Sequence, residues 1–163
     1  MSLIPLSPTE LKAFIEMQVE EFAREKVLAG HWTQAEARKN SRKSIVRLTG
    51  KDPFARGHRF WKGVDAQGRR LGWIWIGPIP DASPIERGRW LYQITVEVFL
   101  RGRGYGRAML AATERVLAGE GVDALHLNVF AWNTAARSLY DSMGYEIVQE
   151  SATDAQMRKA LRA

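Results

Sequence analysis

The chain has 163 residues, 45% of them hydrophobic, and it carries a formal net charge of +6. This length suffices for one ordinary hydrophobic core, so we expect a single domain over residues 1–163. The sequence contains no cysteine, which excludes disulfides, thiolate metal sites and a cysteine nucleophile. The positive charge favours a polyanionic partner, but the basic residues are scattered, and most are explained as solvated surface.

Localisation and metal binding can also be addressed from the sequence. No segment has the uninterrupted apolar length of a membrane span. The N-terminal residues through Pro8 lack the basic-then-apolar layout of a signal peptide. We therefore expect a cytoplasmic protein that does not associate with membranes. His31, His58 and His126 lack the spacing of metal ligands, and no metal is expected.

Two helices are predicted first, before any strand of consequence. Ser7-Pro8-Thr9-Glu10 is a capping-box pattern, and the helix that it starts is expected to stop at Gly30. Thr33-Gln34-Ala35-Glu36 repeats the pattern and starts a second helix that reaches about Leu48. Turn residues predict a loop over residues 50–57.

The period then changes to that of strands. Residues 60–64 and 71–76 predict a β-hairpin in which Trp73 and Trp75 share one face. A surface loop is expected over residues 84–88, and a third strand over residues 90–98. This strand leads directly into a glycine-rich run.

The second half of the chain alternates between helix and strand. Gly119 and Gly121 end a helix whose inner face is predicted to carry Met109, Ala112, Thr113, Val116 and Leu117. A strand follows at residues 125–129, and Asn133 is a good N-cap for a short helix that Gly144 stops. Closing strands are expected at residues 145–150 and 156–161. The order of elements predicts an α/β (α+β) fold with a mixed sheet.

The glycine-rich run between the third strand and the next helix is the most informative segment. Its alternate glycines allow the backbone to approach a ligand closely, and the helix that follows presents its positive N-terminal end. Arginine side chains add charge to the same turn. The residues concerned are Arg101, Gly102, Arg103, Gly104, Gly106 and Arg107. We interpret the run as a diphosphate cradle rather than a plain tight turn.

The spacing of the glycines indicates which type of diphosphate-binding motif the run could be. The Rossmann fingerprint fails because Arg107 occupies its third glycine position, and no Walker P-loop pattern occurs in the chain. The remaining pattern, Arg101-x-x-Gly104-x-Gly106, resembles the [RQ]-x-x-G-x-[GA] hallmark of the GNAT superfamily of N-acetyltransferases. Downstream, residues 133–145 are similar to that family's N-x-x-A-x-x-L-Y-x-x-x-G-[FY]. The resemblance is firm over residues 90–150 and looser before them.

The resemblance implies a fold and a cosubstrate. The expected sheet is mixed and mostly antiparallel, has helices on both faces, and is splayed between strands near residues 90–98 and 124–129. Acetyl-CoA would lie in this splay, with its diphosphate on the glycine-rich run. The implied cofactor-binding residues are Ile94, Thr95, Val96, Val98, Arg101, Gly102, Arg103, Gly104, Tyr105, Gly106, Arg107, Asn133 and Ala136.

The resemblance also implies a mechanism in which the acceptor amine attacks the thioester directly. A backbone N–H near Val96 would polarise the thioester carbonyl, and Tyr140 would protonate the leaving thiolate as general acid. From its spacing alone, Tyr140 is better explained as a core aromatic on an amphipathic helix than as a catalytic residue.

A general base is missing from the positions where the family carries a carboxylate. Trp90 and Asn128 occupy those positions, and Gln93 is not an acid either. The nearest titratable residues on these strands are Glu97 and His126, each of which has an ordinary structural explanation. Our hypothesis is that an ordered water relays the proton.

The acceptor is expected to be an amine-bearing small molecule or peptide. Glu16, Glu20 and Glu21 could attract a cationic amine, although such residues most often form only the solvated face of a helix. Trp32 and Trp132 could line the amine's pocket or have an ordinary packing role. A non-catalytic acyl-CoA-binding regulatory domain is the alternative function, because the customary base is missing. Nucleic-acid binding is not expected, because the clustered arginines suit one diphosphate. A homodimer is compatible with the sequence.

Overall fold

The computed structural model describes residues 1–80 and 88–161, so the predicted loop before Gly88 lies outside the described residues. The strands are β1 (Ser2–Pro5), β2 (Arg59–Val64), β3 (Arg70–Gly77), β4 (Gly88–Val96), β5 (Ala124–Phe130), β6 (Glu146–Glu150) and β7 (Asp154–Ala160). The helices are α1 (Pro8–Leu28), α2 (Gln34–Thr49), α3 (Tyr105–Gly119) and α4 (Thr134–Ser142). In the described parts of the chain, no helix is long and apolar enough to cross a membrane.

These elements form two compact units, Leu6–His58 and Met1–Pro5 with Arg59–Ala163. The smaller unit contains α1 and α2, which contact each other, and its buried residues include Phe14, Val19 and Ile45. The Ser41 hydroxyl donates to the Val19 carbonyl at 2.7 Å, so a buried polar group joins the two helices. The organisation as one domain stays a prediction.

Both predicted helix starts are confirmed. The Ser7 amide donates to Glu10 Oε2 at 2.9 Å, and the Glu10 amide donates to Ser7 Oγ at 3.3 Å, which completes a capping box. At the second start, the Thr33 amide donates to Glu36 Oε1 at 3.2 Å. These local hydrogen bonds satisfy donors that a helix end otherwise leaves without partners.

The sheet has seven strands in the order β1-β2-β3-β4-β5-β7-β6. Only β4 and β5 pair in parallel among these described strands, which confirms the mixed, mostly antiparallel sheet. The prediction that helices precede the first strand was wrong, because β1 comes before α1 and pairs with β2. Four residues carry too little periodicity to reveal a strand whose hydrogen bonds come from a distant partner.

The hydrophobic core of the larger unit joins the sheet to α3 and α4. Met109, Leu110 and Leu117 of α3 are fully buried and belong to one cluster with Ile74 and Leu127. The predicted inner face of α3 needs one correction. Val116 is 39% exposed, whereas Leu110, which was not predicted, is buried. The buried stripe is therefore rotated by part of a turn from the one that the sequence predicts.

Candidate active site

The parallel pair of strands comes apart part-way along the sheet. Gly88 to Leu91 of β4 pair with Ala124 to Leu127 of β5, and the ladder ends there although both strands continue. A register shift against β3 leaves Tyr92 as an extra residue of β4 immediately after the last pair. The strands therefore separate after Leu91, between the two segments where the splay was predicted.

The separated end of β4 directs backbone groups into this gap. The Glu97 amide donates to the Leu71 carbonyl at 2.9 Å. Because backbone groups alternate in direction along an antiparallel strand, the N–H and C=O groups of Thr95 also point toward β3. The N–H and C=O groups of Ile94 and Val96 consequently point away from β3, toward the side that β5 has left. An extended ligand in the gap would meet them as a strand would.

The strand ends earlier than predicted. Val98 lies in a 3₁₀ turn, Val98–Leu100, because the Leu100 amide donates back to the Glu97 carbonyl at 2.8 Å. The side chain of Val98 is 72% exposed. Of the cofactor residues predicted here, Ile94, Thr95 and Val96 lie on the strand, whereas Val98 does not.

The glycine-rich run forms a tight turn that leads into α3. Gly102 and Gly104 adopt left-handed φ values of 73° and 82°, and a Cβ at either would meet no atom within 4 Å. Gly104 is also the N-cap of α3, whose first amides face the same open space. Gly106 differs, because its Cβ would lie 3.4 Å from Leu139 Cδ2 and 3.6 Å from Val96 Cγ2. The first two glycines shape an open cradle, and the third lets α3 pack closely.

The three arginines of the run have different surroundings. Arg101 Nε donates to the Val96 carbonyl at 3.2 Å, and Arg103 is exposed. The Arg107 guanidinium instead donates to the backbone oxygen of Ser142, at 3.4 Å, and to the Ser142 hydroxyl. The predicted cluster of charge is therefore divided, and Arg107 is directed to the end of α4.

The predicted N-cap of α4 is confirmed. The Asn133 side-chain oxygen accepts a hydrogen bond from the Ala136 amide at 3.2 Å. Tyr105, at the start of α3, is half-buried and packs against the core. Asn133 and Ala136 are thus joined by one hydrogen bond at the first turn of the helix that carries Tyr140.

Two tyrosines beside each other have opposite environments. Tyr145 donates its hydroxyl to Glu114 Oε1 at 2.9 Å, and Lys159 Nζ donates to the other oxygen of Glu114 at 2.6 Å. The Tyr140 ring lies 5.6 Å from the Tyr145 ring and is 6% exposed. The Tyr140 hydroxyl has no hydrogen-bond partner among the described residues. Every fully buried side-chain oxygen of the described residues does have a partner, so the Tyr140 oxygen cannot be fully buried. The Tyr140 hydroxyl therefore reaches accessible space.

Burial determines the proton affinity of Tyr140. Desolvation of the phenolate raises the pKa of Tyr140 to about 12. The phenol is consequently protonated at neutral pH and is able to donate a hydrogen bond or a proton. Tyr145 has its pKa raised as well, first by burial and then by the charge of Glu114, but its hydroxyl is already used.

The candidate bases are held by structural contacts. Glu97 accepts from Arg70 Nε at 2.6 Å, and the Arg70 guanidinium lies 4.2 Å from the centre of the Trp73 ring. His126 pairs with Trp90 where the strands are still joined, and their rings are parallel at 6.4 Å. Gln93 donates to Thr95 Oγ1 at 3.0 Å, and Asn128 is exposed. None of these contacts brings a carboxylate to the open gap.

The acidic residues of α1 are largely used within the helical unit. Glu16 accepts two hydrogen bonds from Arg42, at 2.7 and 2.6 Å, and this pairing lowers the pKa of Glu16. Glu20 pairs with Arg38. Attraction of a cationic amine, predicted for these side chains, is therefore opposed by arginines that already neutralise them. Glu21 accepts a long 3.4 Å hydrogen bond from Gln18.

The predicted aromatic residues lie in separate units. Trp32 packs edge-on against Phe22 at 5.4 Å within the helical unit. Trp132 is 55% exposed and stacks on Phe130 at 5.6 Å, just past the separated end of β5. Sequence reasoning missed Ser142 and Glu114, because their partners lie 35 and 31 residues away and no local pattern marks them.

The family model of the acetyltransferase (GNAT) family matches residues 17–145, which include the splayed strands, the cradle and α4. The chain belongs to the GNAT family. It is therefore an acetyltransferase, and acetyl transfer from acetyl-CoA is the general activity of GNAT proteins.

Similar proteins support this assignment over the whole chain. The uncharacterized N-acetyltransferase YdgE of Bacillus subtilis is 29% identical over 160 residues, which is 98% of each chain. The crystal structure of YycN, also from Bacillus subtilis, superposes with a TM-score of 0.83 at 27% identity and covers 92% of this chain and 94% of its own. Spermidine N-acetyltransferase from Vibrio cholerae, solved with CoA and spermine, shares the GNAT fold at a TM-score of 0.69 and 14% identity, covering 98% of this chain and 95% of its own.

Proposed function

We propose that this GNAT protein transfers an acetyl group from acetyl-CoA to a primary amine of a small molecule or peptide, with Tyr140 as general acid. The observation that carries the proposal is the contrast between the two neighbouring tyrosines. The Tyr145 hydroxyl donates a hydrogen bond to Glu114, whereas the hydroxyl of the buried Tyr140 has no partner among the described residues. A protonated donor in accessible space suits the protonation of a leaving group.

The gap between β4 and β5 supports binding of the thioester arm. The outward N–H and C=O groups of Ile94 and the N–H of Val96 could pair with the amides of an extended pantetheine chain, whereas the Val96 carbonyl accepts from Arg101. An N–H in this position would also stabilise negative charge on the carbonyl oxygen during attack. The exposed Arg103 and the open turn at Gly102 and Gly104 would hold the diphosphate at the N-terminus of α3.

The reaction requires no nucleophile from the protein. The amine lone pair forms the new C–N bond, the C–S bond breaks, and the sulfur receives its proton from the Tyr140 hydroxyl. The excess proton on the nitrogen passes to water, and water returns a proton to the phenolate. With a pKa of about 12, Tyr140 donates effectively only to a sulfur that lies in the same water-poor site, where desolvation raises the proton affinity of the thiolate too.

The acceptor class rests on chemistry that the family shares. The spermidine N-acetyltransferase above acts on a polyamine by its name, and its likeness to this chain extends to the fold alone. Water serves as the immediate base in this proposal, because Glu97 and His126 both make structural contacts and Trp90, Gln93 and Asn128 carry no carboxylate.

We expect acetyl-CoA to release free CoA in the presence of an amine from a panel of polyamines, amino sugars and peptides. Tyr140→Phe removes only the hydroxyl and is expected to lower kcat by about 10²-fold, because general acid catalysis contributes about that much, while the Kd for acetyl-CoA stays unchanged. Thiol release measured with a chromogenic disulfide gives kcat.

Tyr145→Phe is the matched control, since it removes a hydroxyl from the adjacent ring without touching the proposed donor. It is expected to lower the melting temperature and to leave kcat within a factor of about two. An unchanged kcat in Tyr140→Phe would contradict the general-acid role. Tight acetyl-CoA binding without thiol release from any amine would favour the acyl-CoA-binding alternative.

A further inference from the structure

Arg107 makes contacts that a diphosphate ligand does not require. Its guanidinium donates to both the carbonyl and the hydroxyl of Ser142, at the last residue of α4. The Ser142 hydroxyl donates in turn to the Leu139 carbonyl at 2.8 Å. A side chain from the first turn of α3 is thereby connected to the last turn of α4.

This position is favourable for a cation. The last carbonyls of a helix lack partners within the helix and carry the negative end of its dipole. Arg107 supplies both a donor and a positive charge there. The contact between Arg107 and Ser142 therefore fixes the position of the C-terminal end of α4 relative to α3.

The residue before Arg107 adds a second contact between the same helices. A Cβ at Gly106 would lie 3.4 Å from Leu139 Cδ2, so the Leu139 side chain packs on the bare backbone of Gly106. Two adjacent residues of α3 thus hold α4 at Leu139 and at Ser142. Tyr140 lies between these positions in the sequence, within the same helical turn.

α4 depends on such contacts for its orientation. It has nine residues, fewer than a helix needs to be stable by itself in water. Within this helix, all of which the structure describes, Tyr140 is the one fully buried residue. Ala136, Leu139 and the C-cap residue Met143 are partly buried against the same core, so the middle of α4 is held by apolar packing and the Arg107 contact holds its C-terminal end.

We infer that Arg107 is a positioning residue for Tyr140, acting through Ser142, and is not a ligand of the diphosphate. The inference rests on the proposed role of Tyr140. Loss of the Arg107 contact would let the end of α4 shift and would move the Tyr140 hydroxyl relative to the sulfur. A displacement of about 1 Å can cost up to about 10²-fold in rate.

Three arginine variants separate positioning from cofactor binding. Arg107→Met is expected to lower kcat about tenfold with less than about a twofold change in the Kd for acetyl-CoA. Arg103→Met is expected to raise that Kd, because Arg103 is exposed at the cradle. Arg115→Met, which removes an exposed charge from the same helix, should change neither. A raised Kd with unchanged kcat in Arg107→Met would overturn the inference.

A double-mutant cycle tests the route through Ser142. Ser142→Ala removes one of the two acceptors and should lower kcat in the same direction as Arg107→Met. Combined, the two substitutions should lower kcat by less than the product of their separate effects. Arg107→Lys keeps the charge and should restore part of the rate. Independent effects that multiply would show that Arg107 does not act through Ser142.

A measurement without turnover keeps this inference separate from the proposed function. The chain has four tyrosines, so ring-labelled tyrosine gives few NMR signals, and Tyr140→Phe assigns one of them. Arg107→Met, with circular dichroism to verify folding, should shift the Tyr140 signal, whereas Arg103→Met should not. If the wild-type protein acetylates no amine, the proposed function fails and this signal still decides the positioning. An unmoved Tyr140 signal in folded Arg107→Met would refute it.

Discussion

Tyr140 and Tyr145 show at the scale of single residues how similar side chains acquire different uses. Both rings are buried and in contact, and burial raises the pKa of each. Their difference comes from Glu114, a residue of α3 that binds one hydroxyl and not the other. The environment, and not the residue type, determines which phenol has a hydroxyl available for chemistry.

His58 makes stability depend on pH. It is 2% exposed, and desolvation lowers its pKa below the ordinary value, while a contact of its Nε2 with the Leu48 carbonyl opposes the shift. The unfolded chain then binds more protons between the lowered pKa and about 6.5, so stability is complete above about pH 6.5 and is lost as the pH falls below it. Urea unfolding midpoints from pH 8 to pH 5 measure this loss.

His58→Gln supplies the comparison for that measurement. With no imidazole to protonate, its unfolding midpoint should fall less between about pH 6.5 and pH 5 than that of the wild-type protein. Equal slopes in the two proteins would show that other groups cause the acid destabilisation.

At this scale, the sequence predicted the residues whose partners are close in the chain. The caps Ser7 and Asn133 were found because their acceptors and donors lie three residues apart. The hydrogen-bond partner of Arg107 was not predictable, because Ser142 is 35 residues away and only the packing of two helices brings the two residues together.

At the scale of elements, the short distance between the backbones of β3 and β4 depends on one glycine, Gly72. A Cβ at Gly72 would lie 2.0 Å from the Thr95 carbonyl oxygen and 3.0 Å from the Val96 Cα, both backbone atoms that cannot turn aside. We expect Gly72→Ala to separate the strands and to lower the free energy of unfolding by about 2–3 kcal/mol, as overpacking does. Denaturant titration measures the loss.

Gly119→Ala is the control for this substitution, because a Cβ at Gly119 would meet no atom within 4 Å at the end of α3. It should be neutral or stabilising by up to about 1 kcal/mol. A Gly72→Ala protein as stable as the control would mean that the two strands tolerate a wider spacing.

The turn before α3 allows a test with matched backbone strain. Gly102 and Gly30 share a φ of 73°, and a Cβ at either would meet no atom within 4 Å. Alanine at each position should therefore cost a similar amount of stability, about 1–2 kcal/mol. Only Gly102→Ala should weaken CoA binding, measured by calorimetry, because its Cβ would enter the proposed cradle. Equal affinities in both variants would argue against a diphosphate at this turn.

Element boundaries followed the sequence where local chemistry decided them. The helices began at their capping residues, whereas β4 ended at Val96, earlier than predicted, because the chain folds into a 3₁₀ turn at apolar residues that resemble a strand. β1 was missed for the opposite reason, since its hydrogen bonds come entirely from β2. The order β5-β7-β6 likewise depends on long-range pairing that no local pattern specifies.

At the scale of the whole molecule, the net charge of +6 bears on the encounter with a polyanion. Its long-range part is screened by salt, so CoA binding should weaken several-fold between about 0.05 M and 0.5 M NaCl. Pantetheine, which lacks the phosphates, should show little salt dependence. Calorimetric Kd values for the two compounds test this, and equal slopes would mean that charge does not guide the binding of CoA.

The separation of β4 from β5 has an evolutionary consequence. Outward-facing backbone groups at Ile94 and Val96 are present whatever side chains these positions carry, so a site built from them places few demands on the sequence. A new acceptor preference could therefore arise by substitutions elsewhere on the surface, without changing the edge that we propose to hold the acetyl donor.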